Sequence, residues 1–209
     1  EDQKKRDAVI IDEFVRLFGD NDSIELFSAP GRTEVGGNHT DHNHGKVLAA
    51  SVDLDTVAAA AKRDDGIIVE KSFKFDALEV DISDLEIHTE EFGKSSGLIR
   101  GMCAGFKERG YNIGGFNAAS MSRVLSGSGL SSSAAYEVLI GTILNHLYND
   151  GKVSPVEVAK IAQYAENKYF GKPCGLLDQT ASSVGSFITI DFKDPSRPII
   201  NKVDFDFAS

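Results

Sequence analysis

The 209 residues are 41% hydrophobic and 26% charged, which is enough apolar material for a sizeable core in one domain or one and a half. A formal charge of −10, from 32 acidic against 22 basic side chains, disfavours nonspecific attraction to nucleic acid or anionic membranes. Two distant cysteines, Cys103 and Cys174, argue against a disulfide scaffold, and with no long apolar run and a charged start, EDQKKRD, the chain is expected to be soluble and cytoplasmic.

In chain order, Val9, Ile10, Ile11, Phe14, Val15, Leu17 and Phe18 recur near the helical period and Gly19 follows, which predicts a helix over 7–18 with a glycine stop. Residues 23–30 alternate like a strand and run into a turn at Pro30-Gly31. The stretch 31–46, GRTEVGGNHTDHNHGK, is too polar for core and long for a connector. Two strands follow, flanking Asp64-Asp65-Gly66 in what reads as a hairpin. An acidic edge strand and loop are expected within 74–92, a helix from Ser96 to Gly110 and a strand over 116–125. AAYEVLIGTILNHLYND predicts a strongly amphipathic helix of four turns. Ser154 followed by Pro155 caps a further helix. A short helix over 176–185, a strand over 186–192 and a last strand in IINKVDFDFAS complete the order, and the chain is expected to stop mid-fold.

Three stretches carry chemistry. GSGLSSSAA, residues 127–135, lies between a strand and a helix, where free backbone amides and the helix dipole bind anions. The serines could equally serve only as helix caps. It is neither a Walker loop, since GxxxxGK[ST] is absent, nor GxGxxG, since Ser132 takes the third glycine position. In the second stretch His39, Asp41, His42 and His44 could bind metal, form a polar surface loop or grip sugar hydroxyls, and the lack of another ligand set disfavours catalytic zinc. In the third, Glu166 taken singly is an exposed helix carboxylate and Asp178 a helix cap.

Taken together, APGR…HTDHNHG, GSGLSSSAA and AEN…GKPCGLLDQ resemble the GHMP small-molecule kinases, and within them the galactokinases. The galactokinase pattern Gly-Arg-Val-Asn-Leu-Ile-Gly-Glu-His-Thr-Asp-Tyr-Asn is matched at Gly31, Arg32, Gly37, His39, Thr40, Asp41 and Asn43. The resemblance covers nearly the whole chain. It implies an α+β fold, a mixed sheet with helices against one face, of the ribosomal protein S5 domain 2-like type. The chain, 1–209, would be the GHMP kinase N-terminal domain, with a sugar-recognition segment at residues 20–50 and the C-terminal domain as an absent partner.

By the same resemblance the ligands are ATP, Mg²⁺ and a free sugar. Gly127, Ser128, Gly129, Leu130, Ser131, Ser132 and Ser133 would wrap the phosphates, and Ser72 would touch the nucleotide. Ser133 and Glu166 would hold Mg²⁺. Asp178 would sit by the acceptor hydroxyl with Arg32 beside it, and Asn38, His39, Thr40, Asp41, Gly175 and Asp178 would contact the sugar. Next to Arg32 an aspartate is a weak base, so Asp178 is expected to orient the hydroxyl and accept its proton late.

The implied reaction is phosphorylation of galactose at the anomeric hydroxyl. Glu34, Gly36, Asn38 and His42 depart from the galactokinase pattern, all in the sugar segment. Those departures give weight to a related hexose or an amino sugar, and to a non-catalytic sugar- and ATP-binding regulator. A zinc-dependent hydrolase using the histidines is the third class of reading.

Overall fold

The computed structural model describes residues 2–37, 40–194 and 197–203. Helix α1 (Asp2–Phe18) buries Ile10 and Phe14 and ends at Gly19, whose φ of +84° lets its N–H return to Val15 O at 2.9 Å. Strand β1 (Glu25–Gly36) does not turn at Pro30-Gly31. Its antiparallel pairing with β2 (Lys46–Lys62) shifts register between Pro30 and Arg32, a bulge at the place where proline has no N–H to give the ladder. Residues 31–36 and 46 of the stretch expected to be a polar connector are therefore strand, and 40–43 forms a 3₁₀ turn.

Strands β3 (Ile67–Ser72), β4 (Leu78–Asp81), β5 (Phe116–Ser122), β6 (Phe187–Asp191) and β7 (Ile199–Lys202) complete one sheet. Its order is β4-β3-β5-β2-β6-β7, with β1 also paired to β2. The two strands expected around Asp64-Asp65-Gly66 exist, but they are not a hairpin. β5 lies between them, antiparallel to β2 and parallel to β3. Arg63 explains the detour: its N–H bonds Gly115 O at 2.8 Å and its guanidinium bonds Asn117 Oδ1 at 2.8 Å, so the connection arches over the start of β5.

Four more helices follow, α2 (Ser95–Glu108), α3 (Ser132–Asn149), α4 (Pro155–Lys168) and α5 (Leu177–Val184). The expected cap of α4 is present, with Ser154 Oγ accepting from Glu157 N–H at 3.2 Å. Alternation along β2 then sorts the core. Ala58 and Ala60 face Met102, Phe106, Leu139 and Ile161 of α2, α3 and α4, while Val57, Ala59 and Ala61 face Ile10 and Phe14 of α1. Helices thus cover both faces of the sheet, not one. β2 carries small residues because it is buried from both sides.

α3 also departs from expectation. It is not strongly amphipathic but buried around most of its circumference, from Ala134 to Leu147, because it runs between the sheet and the helices α2, α4 and α5. Among the described residues no helix is long and apolar enough to cross a membrane.

Candidate functional site

The connection from β5 to α3 contains Gly127 and Gly129, both at φ +78°, and Ser131 at φ +58°. The glycines adopt the left-handed region freely, whereas Ser131 holds it against the clash of its own Cβ. Ser131 occupies the N-cap position of α3, yet its side chain does not cap the helix. Its hydroxyl instead donates to Asp178 Oδ2 at 2.5 Å. The helix start therefore keeps amide groups without a side-chain cap, beside a loop whose backbone can approach an anion closely.

Arg32 draws the loop to the sheet. Its N–H donates to Leu130 O at 3.1 Å, its Nη1 to Gly129 O at 2.8 Å and its Nε to Asp178 Oδ1 at 2.6 Å. Gly31 makes this approach possible, since a Cβ there would meet Leu130 O at 2.9 Å and both Val124 methyl groups at 3.1 and 3.2 Å. Asp178 stands in the first turn of α5, which is pinned to the β1 bulge by Ser182 Oγ donating to Pro30 O at 2.7 Å. Arg32 is buried, and the Asp178 side chain keeps 35% exposure. The aspartate thus has a charged, hydrogen-bonded anchor in Arg32 and remains partly exposed.

Behind this pair lies a second carboxylate. Glu166 is 2% exposed on α4, and its Oε1 accepts from Ser133 Oγ at 3.3 Å and Lys172 Nζ at 3.1 Å. Gln179 Nε2 donates to Glu166 Oε2 at 2.8 Å and to Glu137 Oε2 at 3.2 Å. Burial, and next the charge of Glu166, raise the Glu137 carboxyl well above its ordinary value. Ser133 and Glu166 are hard oxygen donors of the kind Mg²⁺ takes, one or two from protein and the rest from water and phosphate. Among the described residues no group of three His, Cys, Asp or Glu could hold a metal unaided.

Beside α3 opens a cleft of about 900 Å³, lined among others by Ser132, Ser133, Ser72, Phe73, Phe75 and Leu125. Its apolar walls suit a flat ring, and Ser72 closes β3 on its rim. Glu70 lines it too. Burial raises its carboxyl, despite hydrogen bonds from Ser120 and Tyr136 that work the other way.

The structure thus brings together Arg32, Ser131 and Asp178, and separately Ser133 and Glu166. Gly175 lies half-buried just ahead of α5. Thr40 is tied to Gly37 and Gly45 at the root of β2. Asn38 and His39, and the side chains of Asp41 and His42, lie outside the described residues, so the metal reading of the histidines falls largely outside them as well. Sequence reasoning missed Glu137, Lys172 and Gln179. A lone acidic residue in the apolar run AAYEVLIG was the available signal for the first.

The galactokinase galactose-binding signature matches residues 12–62, and the GHMP kinases N-terminal domain matches residues 97–186. The galactokinase of Clostridium beijerinckii is 36% identical over 181 residues, covering 85% of this chain and 46% of that protein. That of Clostridium tetani is 34% identical over 173 residues, covering 83% of this chain and 44% of its own length. The chain therefore spans about half the length of these curated relatives. A crystal structure of Lactococcus lactis galactokinase complexed with galactose superposes with a TM-score of 0.85 at 32% identity, covering 95% of this chain and 52% of that one.

Proposed function

The chain belongs to the GHMP kinase family as a galactokinase N-terminal region, and from that premise we propose that the protein carrying it phosphorylates galactose at the anomeric hydroxyl, using ATP and Mg²⁺. One observation carries the reading. Arg32 links the Gly127–Ser133 loop to Asp178 by hydrogen bonds of 2.8 and 2.6 Å, putting an anion-binding loop, a cation and a half-exposed carboxylate at one point. Phosphoryl transfer is mostly positioning and charge neutralisation, for which these are the required groups.

In this reading the loop amides and Ser133 hold the phosphates, and Ser72 borders the base. Ser133 and Glu166 offer oxygens to Mg²⁺, which would neutralise developing charge on the phosphates. Asp178 accepts a hydrogen bond from the sugar hydroxyl and aims its oxygen at the phosphorus, while Arg32 holds Asp178 in place. Asn38, His39, Thr40, Asp41 and Gly175 line the sugar side. The chain acts as the N-terminal domain, its segment 20–50 reading the sugar and a further domain of the same protein completing the site. The cytoplasm is its place of work, in keeping with the −10 charge and free thiols.

The test is phosphosugar formation by the complete protein on a panel of galactose, other hexoses, galactosamine and N-acetylgalactosamine. Galactose should be the best substrate, and Asp178→Ala should lower kcat by about 10²–10⁴-fold. Preference for an amino sugar would support the alternative that the amide of Asn38, in place of the pattern's glutamate, favours. Saturable ATP and galactose binding with no transfer would replace the enzyme by a regulator.

A further inference from the structure

Glu137 sits in the second turn of α3, fully buried. Holding a carboxylate there is costly, and a hydrophobic side chain of similar size would serve packing better. Its contact explains what packing does not. Glu137 Oε2 accepts from Gln179 Nε2, and the same amide nitrogen serves Glu166 Oε2. Gln179 is itself fully buried, one residue after Asp178. An amide has two N–H groups, and here they are shared between the two carboxyl oxygens and Cys174 Sγ at 3.5 Å; flipped, it would turn its oxygen toward the Glu166 carboxylate. Meanwhile Gln179 Oε1 and Glu137 Oε1 have no hydrogen-bond partner. The arrangement leaves two buried oxygens without a partner while the amide nitrogen serves both carboxyl groups, an expense that stability does not account for.

The geometry at Glu166 shows what is gained. Gln179 holds Oε2 from inside, which leaves Oε1 turned to Ser133 Oγ and to Lys172 Nζ. Lys172 is 61% exposed, so its ammonium can leave Oε1 to an incoming cation without disturbing Gln179. We infer that Gln179, backed by Glu137, is a positioning residue that fixes the Glu166 carboxylate toward Ser133 and so sets the affinity of this pair for a divalent cation. This rests on the reading of Glu166 as a cation ligand. Partners that orient a metal ligand from behind are worth about 10–100-fold in metal affinity.

The experiment titrates the complete protein with Mn²⁺ at fixed ADP, free Mn²⁺ being read by its paramagnetic resonance, and compares wild type with Gln179→Met and Glu166→Gln. Gln179→Met keeps the volume and removes the amide. It should weaken Mn²⁺ binding by about 10–100-fold while galactose affinity, followed by calorimetry, is unchanged. Wild-type Mn²⁺ affinity in Gln179→Met, with affinity lost in Glu166→Gln, overturns the inference and leaves the proposed function standing. Undiminished Mn²⁺ binding by Glu166→Gln overturns the ligand reading itself, and the inference with it. If Gln179→Met fails to fold, Gln179→Asn, one methylene too short to span both carboxylates, is held to the same two outcomes.

Discussion

Ser131 holds a left-handed backbone without being glycine, and its hydroxyl is the part of it that touches Asp178. The two properties separate by substitution. Ser131→Ala loses the hydroxyl and keeps the backbone cost, whereas Ser131→Gly loses both. In urea unfolding the glycine variant should be more stable than the alanine variant by about 1 kcal/mol. Both should lower kcat for sugar phosphorylation to a similar extent, about tenfold for a lost bond to a charged group. Equal stability of the two variants would show that the backbone at 131 is unstrained. Equal kcat in wild type and alanine variant would show that the hydroxyl does not help to hold Asp178. Gly127 and Gly129 were legible as loop residues from composition. The left-handed serine was not, because nothing local to a serine run reveals which member departs from helical geometry.

At the scale of elements, the placing of Glu166 depends on how closely α2 and α4 pack. Gly97, Gly101 and Gly105 recur every four residues along α2 and form one stripe. An added Cβ at Gly101 would meet Ala165 Cβ and Tyr169 Cβ at 2.8 Å and Ala165 Cα at 2.9 Å. Backbone stands behind that contact, so α4 itself would have to move. Alanine improves intrinsic helix propensity by about 1 kcal/mol, but overpacking costs about 1–3 kcal/mol. Gly101→Ala should therefore lower stability by about 1 kcal/mol net, measured as a fall in the denaturant midpoint at constant slope. Because Ala165 precedes Glu166, the same variant should also weaken divalent cation binding. A rise in the midpoint would mean that α4 yields freely. The helix itself was readable from its periodicity. Its glycines gave no warning, since close packing needs knowledge of the facing helix.

At the scale of the whole molecule, what sequence could and could not say divides by range. The glycine stop of α1, the Ser154 cap and the edge strand were local, and they were legible, whereas the start of α1 at Asp2 lies five residues ahead of the expected 7. The insertion of β5 between β2 and β3 and the burial of α3 were long-range, and local pattern misjudged both, while the resemblance implied helices on one face only, and α1 covers the other. Arg32 and Asp178, 146 residues apart, were paired only through resemblance to a family. Buried charge is likewise a property of the whole fold, and it gives the molecule two opposed pH responses. Burial pushes the Asp55 carboxyl up, but hydrogen bonds from Arg6 at 2.5 and 3.0 Å and from Ser28 at 2.6 Å outweigh it, so Asp55 lies below its ordinary 3.8. That group stabilises the fold above 3.8, and the contribution disappears as pH falls through the lowered value. Glu70 has the opposite sign. Burial raises it above 4.5, so the folded state prefers its protonated form and loses stability as pH climbs from 4.5 toward the raised value. Urea midpoints taken from about pH 3 to pH 8 should separate the two. Asp55→Asn should be less stable than wild type at neutral pH, by about 2–3 kcal/mol for a broken, mostly buried ion pair, and the gap should close toward pH 3. Glu70→Gln should gain on wild type as pH rises from about 4 to 8, whatever its absolute stability. A difference between Glu70→Gln and wild type that stays flat with pH would mean that Glu70 titrates alike in the folded and unfolded chains, and that burial at the wall of the cleft leaves its proton where water would.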